Sequence, residues 1–343
     1  MMLQHLRVID LTSDLGGYAG ALLARLGADV VHIGRSPTTL DPGEIEMATH
    51  GKRVLDMALD DPALIALIAD VDILFRGDER LPVALAPEAL AALNPALIDV
   101  AILPFDSDGP NADRPATDLT LMARSGLMTI IGDPDRPPLT LPGRQAWALA
   151  GIQGAIAALT ALNARAADGL GQMASVSAYR SAVLANYREP LMWDWAGRVG
   201  NRTGNLLVRG KSGVRQVWEC ADGYVTWAFV DNQPMMRAVV ARMAADGMAG
   251  ALGEVDWDAI LVADTPRETL IGWEELVLAW LATKTKAELT ELSNRHGIGL
   301  SAISSVEDVL ASEHLAARSL WQDADVAGKT VRVPGPIFRE TTS

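Results

Sequence analysis

LRVIDLTSDLGGYAGALLARLGADVVHIG, from Leu6 to Gly34, is the stretch that decides the fold. Leu6 to Leu11 is a short apolar run of the kind that forms a buried strand. Ser13 to Gly17 supplies a turn, and Tyr18 to Leu26 repeats apolar residues at helical spacing until Gly27, which suits a helix C-cap. Asp29 to Ile33 is a second strand. Strand, glycine-rich turn, helix and strand within about 30 residues make a βαβ unit of the dinucleotide-binding type. The glycine fingerprint is incomplete: Gly17 and Gly20 match its last two glycines, but Leu15 stands where the first would fall. The second strand ends in His32-Ile33-Gly34-Arg35, with no acid for a ribose hydroxyl. Arg35 suits a phosphate better, on an NADP-like or a 3′-phospho-ADP ligand.

Outward from this unit the alternation continues. Gly51-Lys52-Arg53 precedes a strand at Val54 to Leu59, a helix follows from Asp61 to Ala69, and Asp72 to Phe75 is the next strand, trailed by Arg76. A helix from Pro87 to Leu93 leads to a strand from Leu97 to Leu103. Such alternation predicts an α/β domain with a mostly parallel sheet. Lys52, Arg53 and Arg76 flank its strands, and with Arg35 they suggest an anion site where ligands of such sheets gather. Taken one at a time, each reads as a solvated surface charge; together they point to the anion site. Asp118 opens an apolar helical stretch to Leu127, where it suits a helix N-cap.

Pro138 to Gln172 carries the second decisive feature. Trp147 to Leu162 contains no charged residue and reads as a helix buried on nearly every side. It is too short for a membrane span, so a core helix is expected. The first turn of such a helix offers unpaired N–H groups to a ligand. An enzyme would place a carboxylate, thiol or hydroxyl there, whereas this chain has Gln145-Ala146-Trp147.

Gln172 to Val176 reads as a last strand, and Ser177 to Ala196 carries Trp193 and Trp195, which suit core or interface anchors. Arg198 to Gly213 is rich in Gly and Arg, lacks periodicity, and reads as a long linker or active-site loop. Beyond it a hairpin through Asp222-Gly223 and helices at Pro234 to Ala245, Trp273 to Ala282 and Lys286 to Arg295 predict a smaller α+β domain. The expected division is residues 1–197, a linker and small domain at 198–305, and a return to the large domain at 306–343.

Composition narrows the function classes. The 343 residues are 49% hydrophobic and 21% charged with net charge −14, as in a soluble globular protein. That acidity argues against nucleic acid or an anionic membrane as partner. A single cysteine, Cys220, excludes an internal disulfide framework and cysteine zinc sites. The N-terminal residues show no signal or transit pattern, which predicts a cytoplasmic protein. HExxH, GxSxG and P-loop motifs are absent, and the histidines are scattered without metal-ligand spacing.

The order of motifs resembles the class III CoA-transferase family, the formyl-CoA, carnitine and α-methylacyl-CoA racemase group. The resemblance rests on the Leu6–Gly34 stretch, HGKRVLDM, DILFRGD, DSDGPNADRPATDLTLMARSGLM, ALNARAADGLGQMASVS, RVGNRTGN, WECADGYV and VRVPGPIF. It implies a large Rossmann-like domain, a small inserted domain, two chains interlocked as rings, and coenzyme A or acyl-CoA bound as substrate. By motif position Arg35, Lys52, Arg53 and Arg76 would face the CoA phosphates, with Leu74 and Phe75 near the adenine.

The departure lies in the chemistry. Transferases of this family use an Asp at the head of the long helix as the nucleophile. Matching back from Gly169-Leu170-Gly171-Gln172 puts that position at Trp147, or at Ala146 with racemase spacing. The racemase His position is Thr117. Three readings follow. The chain is a transferase subunit whose partner chain carries the Asp, for exchange between an acyl-CoA and a small carboxylic acid; the assembly is a homodimer or a heterodimer with an Asp-bearing paralogue. Or it handles acyl-CoA by other chemistry, through Asp118, Gln145 or the Asn201–Asn205 loop, or binds CoA without catalysis. The remote alternative is an NADP-type oxidoreductase.

Overall fold

The apolar runs of the first half pair into one six-stranded sheet. A computed structural model describes residues 2–13, 16–34, 41–77, 81–112, 114–209, 212–335 and 338. In order come β1 (Arg7–Asp10), α1 (Gly17–Arg25), β2 (Asp29–Ile33), α2 (Pro42–Thr49), β3 (Arg53–Leu55), α3 (Pro62–Ile68) and β4 (Ile73–Arg76). Then follow α4 (Pro87–Leu93), β5 (Ile98–Leu103), α5 (Asp118–Arg124), α6 (Gln145–Asp168), β6 (Met173–Ser177), α7 (Ala178–Ala185) and α8 (Arg188–Ala196). The sheet order is β3-β2-β1-β4-β5-β6, and every pairing is parallel, as the alternation predicts. The order reverses between β1 and β4, and ligands of such sheets bind beyond the carboxyl ends of the strands at this point. There Leu11 N–H donates to the Phe75 carbonyl at 2.9 Å, tying the two strands together.

Both faces of the sheet are covered, which is why its strands read as unbroken apolar runs. Val8, Val30, Ile73, Phe75, Val100 and Ile102 pack under α1 and α6. Ile9, Leu11, Val31 and Leu74 belong to the opposite layer with Leu64 and Leu90.

α6 differs from the expectation of a helix buried all round. Ala146, Ala150, Gly151, Gly154, Ala155, Ala158 and Ala161 form one buried stripe, while Ile152 and Ile156 are exposed. Its length and composition would allow a membrane crossing. Here its small residues let α1 approach closely: a Cβ on Gly151 would lie 2.8 Å from the Tyr18 Cβ. α2 has no counterpart among the elements read from sequence. Asp41 and Glu44 form a capping box around Pro42 at its start, a signal that was present in the letters DPGE. Ser177 to Ala196 splits into α7 and α8, and Trp193 and Trp195 are exposed rather than core.

By packing, the chain divides into two units. One comprises Met1–Ile130, Leu139–Gly200 and Glu313–Ser343, the other Ile131–Pro138 and Asn201–Ser312. The second unit holds β7 (Leu206–Arg209), β8 (Ser212–Arg215), β9 (Val217–Cys220), β10 (Gly223–Thr226), α9 (Gln233–Ala245), α10 (Arg267–Leu281), α11 (Lys286–His296), β11 (Ser301–Ala302) and α12 (Val306–Leu310). The stretch read as a linker, Arg198 to Gly213, therefore contains most of the antiparallel β7–β8 hairpin. Its core is aromatic, with Trp218, Trp227, Phe229, Trp257 and Trp273 in successive ring contacts. The return to the first unit brings α13 (Glu313–Ala317) and an antiparallel hairpin of β12 (Trp321–Val326) and β13 (Lys329–Pro334).

Candidate functional site

α6 precedes β6 and runs against the strands, so its head stands at the carboxyl edge of the sheet. That head is already capped. The Trp147 N–H donates to Asp118 Oδ1 at 3.1 Å, and the Ala146 and Gln145 N–H groups also point to this carboxylate. The open first turn expected from the sequence is therefore filled from within the chain. Asp118 does not cap its own helix: Thr117 is the N-cap of α5, its hydroxyl accepting from Thr120 N–H at 3.3 Å. Burial raises the Asp118 pKa above the ordinary carboxylate value, while the helix-head N–H groups and Arg144 pull the other way. Gln145 donates through Nε2 to the Pro142 carbonyl at 2.7 Å, which secures the turn into α6. Trp147 is nearly buried and belongs to the core under the sheet. Asn205 closes the Asn201–Asn205 loop on the backbone of Val217, with both bonds at 2.6 Å.

The cations assigned to CoA phosphates occupy different settings. Arg35 lies outside the described residues. Lys52 is fully enclosed: Nζ donates to Asp10 Oδ2 at 2.6 Å and to the Gly17 carbonyl at 2.7 Å, and only 1% of the Lys52 side chain and 0% of Asp10 are exposed. Thr12 N–H and Oγ1 complete the shell of Asp10 at 2.9 and 2.5 Å. A Cβ on Gly20 would strike the Asp10 carboxylate and come within 3.1 Å of Lys52 Cε. This glycine of the partial fingerprint thus makes room for an ion pair. His32 lies across the strand from Asp10 with Nδ1 unpartnered, and burial lowers its pKa.

Arg53 reaches back from β3 to Asp29, with Nε and Nη2 at 3.0 and 2.9 Å from the two carboxylate oxygens, on an exposed surface. Arg76 at the end of β4 makes a buried fork to Asp99, at 2.5 and 3.0 Å. Three strand steps separate β3 from β4, about 14 Å, and each arginine is turned to a different carboxylate. Leu74 and Phe75 are fully enclosed in opposite core layers, so neither side chain is a wall for adenine. Alternating strand geometry and two covered faces account for this correction.

Two of the openings in the first unit lie beside these residues. A shallow cleft of about 410 Å³ is floored by Arg76 and Gly77 and walled by Pro82 and Val83. A larger cavity of about 800 Å³ is lined by Tyr18, Met47, Trp147, Ile152, Val331 and Val333. Arg144, the N-cap residue of α6, stands in its lining and pairs with Glu44 of α2, Nε to Oε1 at 2.8 Å and Nη2 to Oε2 at 3.5 Å. The sequence reading singled out neither residue, because they are 100 positions apart and α2 was not read as a helix. The arrangement offers a largely apolar chamber with two arginines, Arg144 and Arg332, in its lining and an indole at position 147. The carboxylate at the helix head is Asp118, held by the backbone N–H groups of the first turn.

The model of CoA-transferase family III matches residues 3–342 of this chain. Over 360 residues the chain is 27% identical to the succinyl-CoA:(R)-benzylsuccinate CoA-transferase subunit BbsE of Thauera aromatica, covering 97% of this chain and 86% of that protein. It is 29% identical to a succinate–glutarate CoA-transferase of Agrobacterium fabrum, covering 99% and 90% of the two. Among solved structures, a CAIB/BAIF family protein from Brucella suis shares the fold with TM-score 0.78 at 24% identity, over 98% of this chain and 92% of that one. The chain belongs to CoA-transferase family III.

Proposed function

We propose that the chain is an acyl-CoA-binding subunit of a CoA-transferase in which a partner chain supplies the catalytic carboxylate. The observation that carries this reading is the head of α6. By motif spacing the family's nucleophile position is assigned to Trp147, a nearly buried indole, and the carboxylate beside it, Asp118, is engaged by backbone N–H groups. A carboxylate so bonded is a poor nucleophile, since each N–H bond stabilises its charged, unreacted form. The likeness to a protein named as a subunit, BbsE, supports the same reading. Arg76 at the carboxyl edge of β4, with Arg35 after β2, is assigned to the CoA phosphates. Arg76, although forked to Asp99, borders the cleft at this edge, whereas Lys52 is enclosed against Asp10 and Arg53 pairs with Asp29 outside that cleft, so these two are left out of the role. Exposed Trp193 and Trp195 on α8 are assigned to the interface with the second chain.

The test is thioester exchange with succinyl-CoA as donor, the donor named in the relatives, and a panel of small acids. The purified chain should bind CoA and exchange nothing; co-expression with an Asp-bearing paralogue should produce exchange and a hydroxylamine-sensitive adduct on the paralogue. Exchange by the homomeric chain with the adduct on Asp118 would overturn this reading and establish the alternative, an acyl-CoA enzyme acting through its own Asp118. The raised pKa of that half-buried group is what favours this second reading.

A further inference from the structure

The cavity beside Trp147 has a chemistry of its own. Its volume, about 800 Å³, lies within the range of small-molecule sites. Its walls are mostly aliphatic and aromatic, Arg144 and Arg332 are its cations, and its acids already have partners inside the protein. Asp41 caps α2 by accepting from Glu44 N–H at 2.9 Å, and Glu46 pairs with His50 at 2.6 Å. Glu44 is the third acid, and its bond to Arg144 is uneven, one contact at 2.8 Å and the other at 3.5 Å. A guanidinium and a carboxylate in register make two short bonds. Glu44 is held back by its place in the α2 capping box, where Oε2 also accepts from Asp41 N–H at 3.3 Å. Both partners are partly exposed at 36%, so the pair contributes little to stability and exchanges readily.

We propose that this cavity binds a carboxylic acid with an aryl or branched apolar body, and that the ligand's carboxylate displaces Glu44 from Arg144. The body lies against Trp147 and Ile152, and the carboxylate faces the guanidinium in the two-bond geometry that Glu44 does not reach. Exchange of one carboxylate for another leaves the charge on Arg144 matched, so no buried cation is stranded. The assignment rests on the acyl-CoA reading above and names the acid that such a site would select. Arg144 becomes a specificity-determining residue, and Glu44 competes with the ligand for it.

The experiment is calorimetric titration of the full chain with 3-phenylpropanoate and with its neutral amide, and with CoA in parallel. Wild type should bind the acid more tightly than the amide. Arg144→Met should weaken acid binding about tenfold or more, the loss of one charge-assisted contact, and leave the amide unchanged. Glu44→Gln should tighten acid binding several-fold by removing the competitor. Ile152→Trp, which narrows the chamber where the apolar body lies, should weaken both ligands. Equal affinities for acid and amide in wild type and in Arg144→Met would overturn the proposal, as would undiminished binding in Ile152→Trp. If CoA binds and neither the acid nor the amide does, this proposal falls and the CoA reading stands. If the acid binds with the Arg144 dependence and CoA does not, the CoA reading falls instead.

Discussion

Replacing Lys52 with Met separates the two roles this residue has been given. As a phosphate ligand it would be exposed, and its loss would weaken CoA binding while leaving stability nearly unchanged. The structure instead encloses its ammonium group between Asp10 Oδ2 at 2.6 Å and the Gly17 carbonyl at 2.7 Å. Met matches the length of the stem but leaves Asp10 charged, fully buried and bonded only to Thr12. Breaking a buried pair from one side costs about 3–5 kcal/mol, because the remaining charge is uncompensated. For a unit of this size each kcal/mol corresponds to about 2–4 °C in Tm, so the loss should be roughly 6–20 °C. Lys52→Met combined with Asp10→Leu removes both charges and should recover a good part of that loss, with strong non-additivity in the double-mutant cycle. The assay is thermal unfolding by circular dichroism for the four proteins of the cycle, beside CoA titration at a temperature where all are folded. A Lys52→Met protein with unchanged Tm and lost CoA affinity would refute the reasoning and return the lysine to the phosphate site.

Three further outcomes are expected. Asp118→Ala uncaps α6 and should cost about 0.5–2 kcal/mol in urea unfolding; an unchanged midpoint would show that the helix head has no need of it. His32 has a pKa held down, chiefly by burial, so it folds neutral and protonates more readily when unfolded. Its contribution is present above about pH 6.5, the ordinary His value, and is lost as the pH falls below it. His32→Leu should therefore flatten the decline in Tm between about pH 6.5 and 5, and an identical decline in wild type and variant would contradict this. Arg53→Ala removes an exposed pair with Asp29 and should change stability by no more than about 1 kcal/mol, with CoA affinity unmoved; a tenfold loss of CoA affinity would restore Arg53 to the binding site.

Most of the first unit was legible because its signals are local. The run from Leu6 to Leu11, the Tyr18–Leu26 periodicity, Gly27 and the Asp29–Ile33 run each report a strand, a helix or its end from neighbouring residues. These became β1, α1 and β2 within one or two positions. The parallel sheet follows from the alternation, since parallel neighbours need a crossover and a helix supplies it. α2 was missed although its capping box was readable, because its few apolar residues offer no strong stripe, and none of its residues is buried. Family membership was legible for the same reason, as an ordered series of local motifs.

What surrounds each side chain was not local, and tertiary structure decided it. Lys52 and Asp10 are 42 positions apart, Arg76 and Asp99 23, Arg144 and Glu44 100, and Trp147 and Asp118 29. A sequence shows that a charge exists. Only the packing of strands and helices shows whether a countercharge meets it at 2.6 Å in a dry interior, as at Lys52, or on an exposed surface, as at Arg53. The energy of a charge is set by its partner's distance and by the water excluded around both. Neither quantity is a property of a residue or of its neighbours in the chain.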